Sequence, residues 1–301
     1  MRKIKIRLPA TMTDFGPNLR TLGLALSLYT QVEITPRDDD NLIVETSGEG
    51  AGSYALGLRH PVVLGMMRIF QAFERAPKGI TVRIHNDIPL NSGLGAEQAF
   101  MTAGIIGANN LLENPYDRSQ LIQLAATATK RPDHSVTSII GGLTAHSHDG
   151  AQVLYRSLAL APFKLIVAVR MDDHYDRPKM PERVSMADML ESLHSLPILM
   201  EAFSGGNLHT IAATLRNGIM NDAVQRRIGG FAHVAEVARL AGSIGVTTSG
   251  GGPAMVFLAH DYHDRIAEAI EIAFENIQIP ARVMVLPMDT QGVVISMMQS
   301  A

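Results

Sequence analysis

"PLNSGLGAEQAF", residues 89–100, decides how the rest of the chain is read. A strand-like run, "GITVRIHNDI" at 79–88, leads into it, and the spacing predicts a helix from about Ala96 to Leu112 behind it. Gly93 and Gly95 leave the backbone bare between the two, and the helix start offers unpartnered N–H groups and the positive end of a dipole. Such a turn is an anion cradle. It lacks the Gly-Lys-Ser/Thr ending of a P-loop, and it is not the G-x-G-x-x-G of a dinucleotide fold. Glu97 falls in the first turn of the helix, an anion aimed at an anion site.

The composition narrows the classes of function. The chain has 301 residues, 46% hydrophobic and 18% charged, enough for one large domain or two ordinary ones. A formal net charge of −3 carries no electrostatic footprint for nucleic acid or an anionic membrane. No apolar stretch reaches the roughly 18 residues a membrane-spanning helix needs. The best candidate, "LALAPFKLIVAV", is interrupted by Pro162 and Lys164. With no cysteine, disulfides and thiolate metal sites are excluded, and a cytoplasmic location is expected.

Outward from the glycine loop, the pattern predicts a mixed α+β chain. Residues 3–8 and 29–35 alternate as strands, and "LRTLGLALSL" at 19–28 reads as a short helix between them. "RDDDN" at 37–41 is a polar turn, "LIVET" a strand, "SGEGAGS" a loop and 60–74 a helix. "SQLIQLAATAT" is a helix, and "SVTSIIGGLTAHS" begins as a helix and ends as a strand. "FKLIVAVRM" is a buried strand, and helices follow across 185–241. "GVTTSGGGPAMVFLA" reads as strand, glycine turn and strand. A helix at 262–275 and strands at 281–286 and 292–297 close the chain. Strands and helices alternate without a strict βαβ rhythm. A boundary near 150–160 would divide the chain into 1–155 and 156–301, with a glycine loop from each half facing a shared cleft.

Three stretches, "RLPATMTDFGPNLRTLGLALSLYTQVEI", "PLNSGLGAEQA" and "TTSGGGPAMVFLA", together resemble the three motifs of the GHMP small-molecule kinases. Within that superfamily the chain is most similar to the homoserine kinases, through "RPDHSVTSIIGGL", "MPERVSMADML" and "PMDTQGVVI" as well. The resemblance spans essentially the whole chain. It implies a ribosomal-protein-S5-like N-terminal domain and a ferredoxin-like C-terminal domain with ATP between them. The phosphates would lie on Pro89, Asn91, Ser92, Gly93, Leu94, Gly95, Ala96 and Glu97. Ser249, Gly250, Gly251 and Gly252 would form the glycine turn of the second domain. Many members are homodimers, so a homodimer is expected.

The departures from that family bear on chemistry. An aspartate that holds the substrate's amino group follows Gly-Pro-Gly in homoserine kinases. Here "GPNLR" supplies Asn18 and puts Arg20 at that place. The two loop serines are Ala96 and Glu97, and the metal-binding glutamate aligns with Thr129. The histidine and asparagine of His-Pro-Asp-Asn align with Arg131 and His134. One arginine that binds the substrate carboxylate is kept as Arg177, and the other falls on Val224, with Arg226 and Arg227 nearby.

Three readings follow. In one, the chain is an ATP-dependent kinase in which Glu97 has taken over as the Mg2+ carboxylate. In another, kinase chemistry is lost and Glu97 plugs the helix terminus, leaving a protein that binds a small anionic ligand. In the third, compatible with either, Arg20, Arg131 and Arg177 make a cationic pocket for an acidic metabolite. The expectation is an ATP- and Mg2+-dependent phosphotransferase acting on a hydroxyl of a small acidic metabolite. Its substrate site would comprise Asn18, Arg20, Arg131, His134 and Arg177, with Glu97 on the metal.

Other features read as structural. "HSHDG" at 146–150 and "HDYHDR" at 260–265 read as solvated turns, with Asp261 capping a helix. Asp133 is expected to hydrogen-bond backbone, and methionines such as Met66 and Met67 to fill core.

Overall fold

The computed structural model describes residues 2–299 apart from 150, 151, 173, 174, 180 and 217. Gly150 of the first histidine-bearing turn and Met180 of "MPERVSMADML" therefore lie outside the described residues. A long hairpin organises the first half. β1 (Arg2–Thr13) and β2 (Leu22–Arg37) pair antiparallel, with Ile4 opposite Ile34 and Thr13 opposite Gly23. The register shifts at Pro9/Ala10, where proline has no N–H for the ladder. Residues 22–28 are strand and not the short helix that the pattern predicts. Leu22, Leu24 and Leu26 alternate with small residues, yet Ala25 is as buried as they are. Burial on both faces removes the polar alternation that would mark a strand.

β3 (Leu42–Gly48) and β4 (Gly79–Asn86) pair parallel, joined by α1 (Pro61–Ala72). The glycine loop follows β4 and opens α2 (Ala96–Leu111), then α3 (Arg118–Thr129) and α4 (Pro132–Ile140). α2 and α4 pack on β1 and β2. Met66 is buried on α1 and Met67 partly so. β5 (Leu143–His148) pairs with β2, and β6 (Val153–Leu158), a strand the sequence reading misses, pairs with β5.

The second sheet contains β7 (Lys164–Arg170), β8 (Gly245–Thr248), β9 (Ala254–Leu258) and β10 (Ala281–Pro287), in the order β10-β7-β9-β8. Its helices are α5 (Met186–Gly205), α6 (Leu208–Thr214), α7 (Asn221–Gln225), α8 (Phe231–Ala241) and α9 (His263–Asn276). The last strand, β11 (Val294–Gln299), returns to the first sheet and pairs with β1. α9 begins behind Tyr262 and not behind an Asp261 cap; Tyr262 adopts a left-handed backbone and makes no side-chain cap.

Period-two burial ties the two halves together. Leu165, Val167 and Val169 of β7 join the core that holds β1, β2 and α2. Ile166 and Ala168, on the opposite face of the same strand, join α8 and α9. The apolar run that predicts a buried strand is thus buried on both sides, and the two halves share one packed interior.

Candidate functional site

Residues 89–95 turn sharply between β4 and α2, with Asn91 at φ 55°, Gly93 at φ 90° and Gly95 at φ 80°. The Ser92 hydroxyl donates to the Pro89 carbonyl at 2.7 Å and accepts from the Leu94 N–H at 3.2 Å, so it braces the loop. Leu94 is fully buried, and its carbonyl accepts from the Thr11 N–H. Gly95 is the N-cap of α2, and no side chain caps the helix. The N–H groups of its first turn are therefore available to an anion. Glu97 stands in that first turn, exposed, and bonds none of those N–H groups among the described residues.

The Ser249–Gly252 turn sits directly against this loop. Ser249 Oγ donates to the Gly93 carbonyl at 2.8 Å, the Ala254 N–H to Ser92 at 3.0 Å, and the Gly250 N–H to Thr13 at 2.6 Å. The two glycine stretches, 156 residues apart, make one wall. The Tyr175 hydroxyl donates to the Gly251 carbonyl at 2.7 Å, and the Arg177 side chain lies alongside Gly251.

A cleft opens in front of the loop as two connected hollows. The inner one, about 180 Å3, is lined by residues 89–93 and 95–98 with Tyr54, Arg131, His134, Tyr175 and Arg177. The outer one, about 570 Å3, adds Glu49, Ser53, Arg170, Asp172 and Pro253, and shares Asn91, Glu97 and both tyrosines. Another hollow of about 570 Å3 lies on the outer face of the first sheet, among Lys5, Glu33, Glu45 and Arg83. It shares no residue with the cleft, and its charges are paired on the surface, as in Lys5–Glu33 and Arg83–Glu45. The chemistry points to the cleft in front of the glycine loop.

The floor of the cleft is a buried charge chain. Arg131, the N-cap of α4, holds Asp133 in a fork, Nε to Oδ1 at 2.9 Å and Nη2 to Oδ2 at 2.5 Å. The same Nη2 reaches Thr13 Oγ1 at 3.1 Å and Asp14 Oδ2 at 3.3 Å, and Arg20 Nε reaches that Asp14 oxygen at 3.5 Å. Asp133 is thus bound by a guanidinium, and not by backbone as expected. Burial opposes its ionisation, but the hydrogen bonds and charge of Arg131 outweigh burial and hold the carboxyl well below the usual carboxylate range. Asp14 goes the other way. Burial exceeds the attraction of Arg131 and Arg20 and raises its pKa, and its Oδ1 is buried without a partner. Burial, reinforced by Arg131, pushes His134 down to about 3, so the ring is neutral at pH 7. Its nitrogens lie 2.7 Å from Thr11 Oγ1 and 3.2 Å from Thr13 Oγ1. A Cβ on Gly95 would stand 2.7 Å from the first of these nitrogens.

The expected substrate residues are therefore brought together unevenly. Arg131, His134 and Arg177 line the cleft. Arg20 sits behind it, paired with Asp14. Asn18 is buried, its amide spent on Leu22 and Thr21 within its own loop. Two carboxylates offset two of the three guanidinium groups, and Arg177 alone makes no hydrogen bond or ion pair among the described residues. Thr129 bonds Ser135 Oγ and the Ala125 carbonyl, well suited to ending α3. Val224 is core, Arg226 pairs with Asp222 and Arg227 bonds the Ala223 carbonyl, and neither arginine lines the cleft, although the Arg227 charge is felt at Tyr175. Sequence reasoning misses Tyr54, Gln98 and Asp14. Only Asp14 carried a signal, a charged residue inside the first motif. His146, read as part of a solvated turn, is buried in β5. Among the described residues no three metal-ligating side chains gather in one place.

Comparison with known proteins gives a consistent result. Residues 62–142 match the GHMP kinases N terminal domain family. Over 294 residues the chain is 29% identical to the homoserine kinase of Moorella thermoacetica, covering 96% of this chain and 99% of that one. It is 26% identical over 292 residues to the homoserine kinase of Carboxydothermus hydrogenoformans, covering 96% and 95%. Among solved structures it is similar to the homoserine kinase from Cytophaga hutchinsonii, at a TM-score of 0.84 and 20% identity over 98% and 97% of the two chains. It also resembles the L. major mevalonate kinase, at a TM-score of 0.66 and 14% identity over 95% and 96%. At such identities the structural likeness speaks for the fold.

Proposed function

We propose, from the premise that this chain is a member of the GHMP kinase superfamily and a full-length relative of homoserine kinases, that it transfers a phosphoryl group from ATP to a hydroxyl of a small anionic metabolite. Residues 1–155 would form the nucleotide-binding half and 156–301 the second half, with β11 crossing back to the first sheet. One observation carries the reading. The uncapped start of α2 and the unpaired Arg177 line the same small polar hollow.

The chain's own groups supply positioning and charge stabilisation, which is most of what phosphoryl transfer asks of a protein. The N–H groups at Gly95–Glu97 would hold phosphate oxygens. Arg131, clamped by Asp133, lines the cleft, and Arg177 would take the acceptor's anionic group. No side chain here is assigned as a base. Asp133 is occupied by Arg131, and His134 is neutral with both nitrogens beside threonine hydroxyls.

The residues present fit Mg2+ only in one manner. Glu97 is the free carboxylate of the inner hollow, and Mg2+ is commonly held by one or two carboxylates plus substrate phosphates. When bound there it would neutralise phosphate charge. Glu97 is exposed and leaves the helix N–H groups open, which favours this role over a plug.

Steady-state ADP release tests the proposal, with homoserine compared against hydroxy acids that lack its amino group and against phosphorylated alcohols. The reading expects a higher kcat/KM for an anionic acceptor than for homoserine. Preference for homoserine over all of them would overturn the acceptor class.

A further inference from the structure

We infer that Arg282, on β10 of the second half, is a positioning residue for the nucleotide end of the cleft and acts there through Glu49. One nitrogen of its guanidinium serves two acceptors. Arg282 Nη1 donates to Glu49 Oε1 at 2.7 Å and to the Asp87 carbonyl at 3.0 Å. Asp87 directly follows β4, just before the glycine loop begins, and Glu49 lines the outer hollow in front of that loop. The two acceptors are themselves tied together. The Glu49 N–H donates to the Asn86 carbonyl at 2.6 Å. Asn86 Nδ2 donates in return to the Glu49 carbonyl at 2.9 Å and to that of Ile88 at 2.8 Å. Asn86 itself is buried. The first half thus fixes the backbone of Glu49, and the second half holds its carboxylate.

Charge gives this contact its consequence. The acidic residues that line the outer hollow are Glu49, Glu97 and Asp172. Glu97 has a use there, on Mg2+ beside the phosphates, and Asp172 is paired with Arg170. Glu49 has no use of that kind, and an uncompensated carboxylate beside an anion site repels the ligand that the loop is built to hold. Arg282 supplies the missing positive charge from outside. It lines neither hollow, so it neutralises Glu49 without taking up ligand space. The two side chains are 35% and 24% exposed, and ion pairs at such positions add little to folding. The effect of Arg282 therefore falls on ligand affinity more than on stability. This inference rests on the nucleotide reading of the cleft given above.

Calorimetric titration of the full chain with ATP and Mg2+ tests it. Arg282→Met is expected to weaken ATP binding about tenfold, with a urea midpoint close to that of the wild type. Adding Glu49→Gln should bring affinity back to within about threefold of the wild type, because the unpaired charge is then gone. Glu49→Gln alone keeps an acceptor for Arg282 and should change affinity by less than about threefold. A purely structural brace behaves differently, since the double variant loses further hydrogen bonding and binds no better than Arg282→Met. Unchanged affinity in Arg282→Met, or a loss that Glu49→Gln fails to reverse, would overturn the inference while leaving the nucleotide site standing. A wild type that binds no ATP would overturn the nucleotide reading and this inference with it.

Discussion

Gly93 and Ser249 stand back to back, and each holds the other's backbone in place. The Ser249 hydroxyl bonds the Gly93 carbonyl at 2.8 Å, and a Cβ on Gly93 would lie 2.1 Å from the Ser249 carbonyl oxygen. Gly93 also has φ 90°, a conformation that side chains resist. Gly93→Ala should therefore lower stability by roughly 3 kcal/mol, from backbone strain and from overlap with a carbonyl that cannot yield. Urea unfolding measures the loss. A change under about 1 kcal/mol would mean that the two loops are not locked together.

The Arg131–Asp133 fork predicts a large cost for a small change. Asp133→Asn keeps the shape and leaves Arg131 with no carboxylate in its fork, which should cost about 3–5 kcal/mol. Asp14→Asn should cost far less, at most about 1 kcal/mol, because burial already disfavours the Asp14 carboxylate. Equal losses in the two variants, read from urea midpoints, would contradict this division of roles.

Buried histidines contribute to the response to mild acid, and burial lowers His146 as well as the two that lie nearest α1 and the cleft. Burial lowers His60 to about 4 and, with Arg131, lowers His134 to about 3. An unfolded chain titrates them near 6.5. The folded state thus prefers both neutral, and their stabilisation is complete above about pH 6.5 and lost as pH falls toward 4. Each contributes a slope of about 1.4 kcal/mol per pH unit in that window. His60 accepts the Val62 N–H at 3.2 Å as the cap of α1. His60→Asn keeps an acceptor there without titrating, and should lower the slope between pH 6 and 4.5 by about 1.4 kcal/mol per pH unit. An unchanged slope would show that His60 does not carry it.

The glycine loop, its helix and the second glycine turn were legible from sequence because backbone needs dictate residue type there. Positive φ with close approach leaves little but glycine at Gly93 and Gly250, and close approach to the Ser92 backbone does so at Gly252. Residues 22–28 were not legible, because burial on both faces hides a strand's alternation. β6 was missed because its exposed Leu154, Arg156 and Ser157 break up its pattern. The arginines were counted correctly, but their pairing could not be read. Arg131 and Asp133 lie two apart, a spacing that does not face within a helix. Arg131, however, is an N-cap at φ −137°, which lets its side chain fold back over the first turn.

Arg177 offers a clean separation of function from stability. It lines the cleft without bonding any described residue, so Arg177→Met should leave the urea midpoint within about 0.5 kcal/mol. The KM for the anionic acceptor should rise roughly tenfold to a hundredfold, the worth of a charge-assisted hydrogen bond. An unchanged KM would remove Arg177 from the acceptor site.

Calorimetric titration with ATP, with and without Mg2+, tests the central claim most directly when the wild type and Glu97→Ala are compared. The account predicts that the wild type binds ATP and that Mg2+ tightens binding. In Glu97→Ala most of that tightening should be lost, while metal-free affinity should rise as a like charge leaves the phosphate site. A wild type that binds no ATP under either condition would contradict the claim that the loop at 89–97 is a nucleotide site.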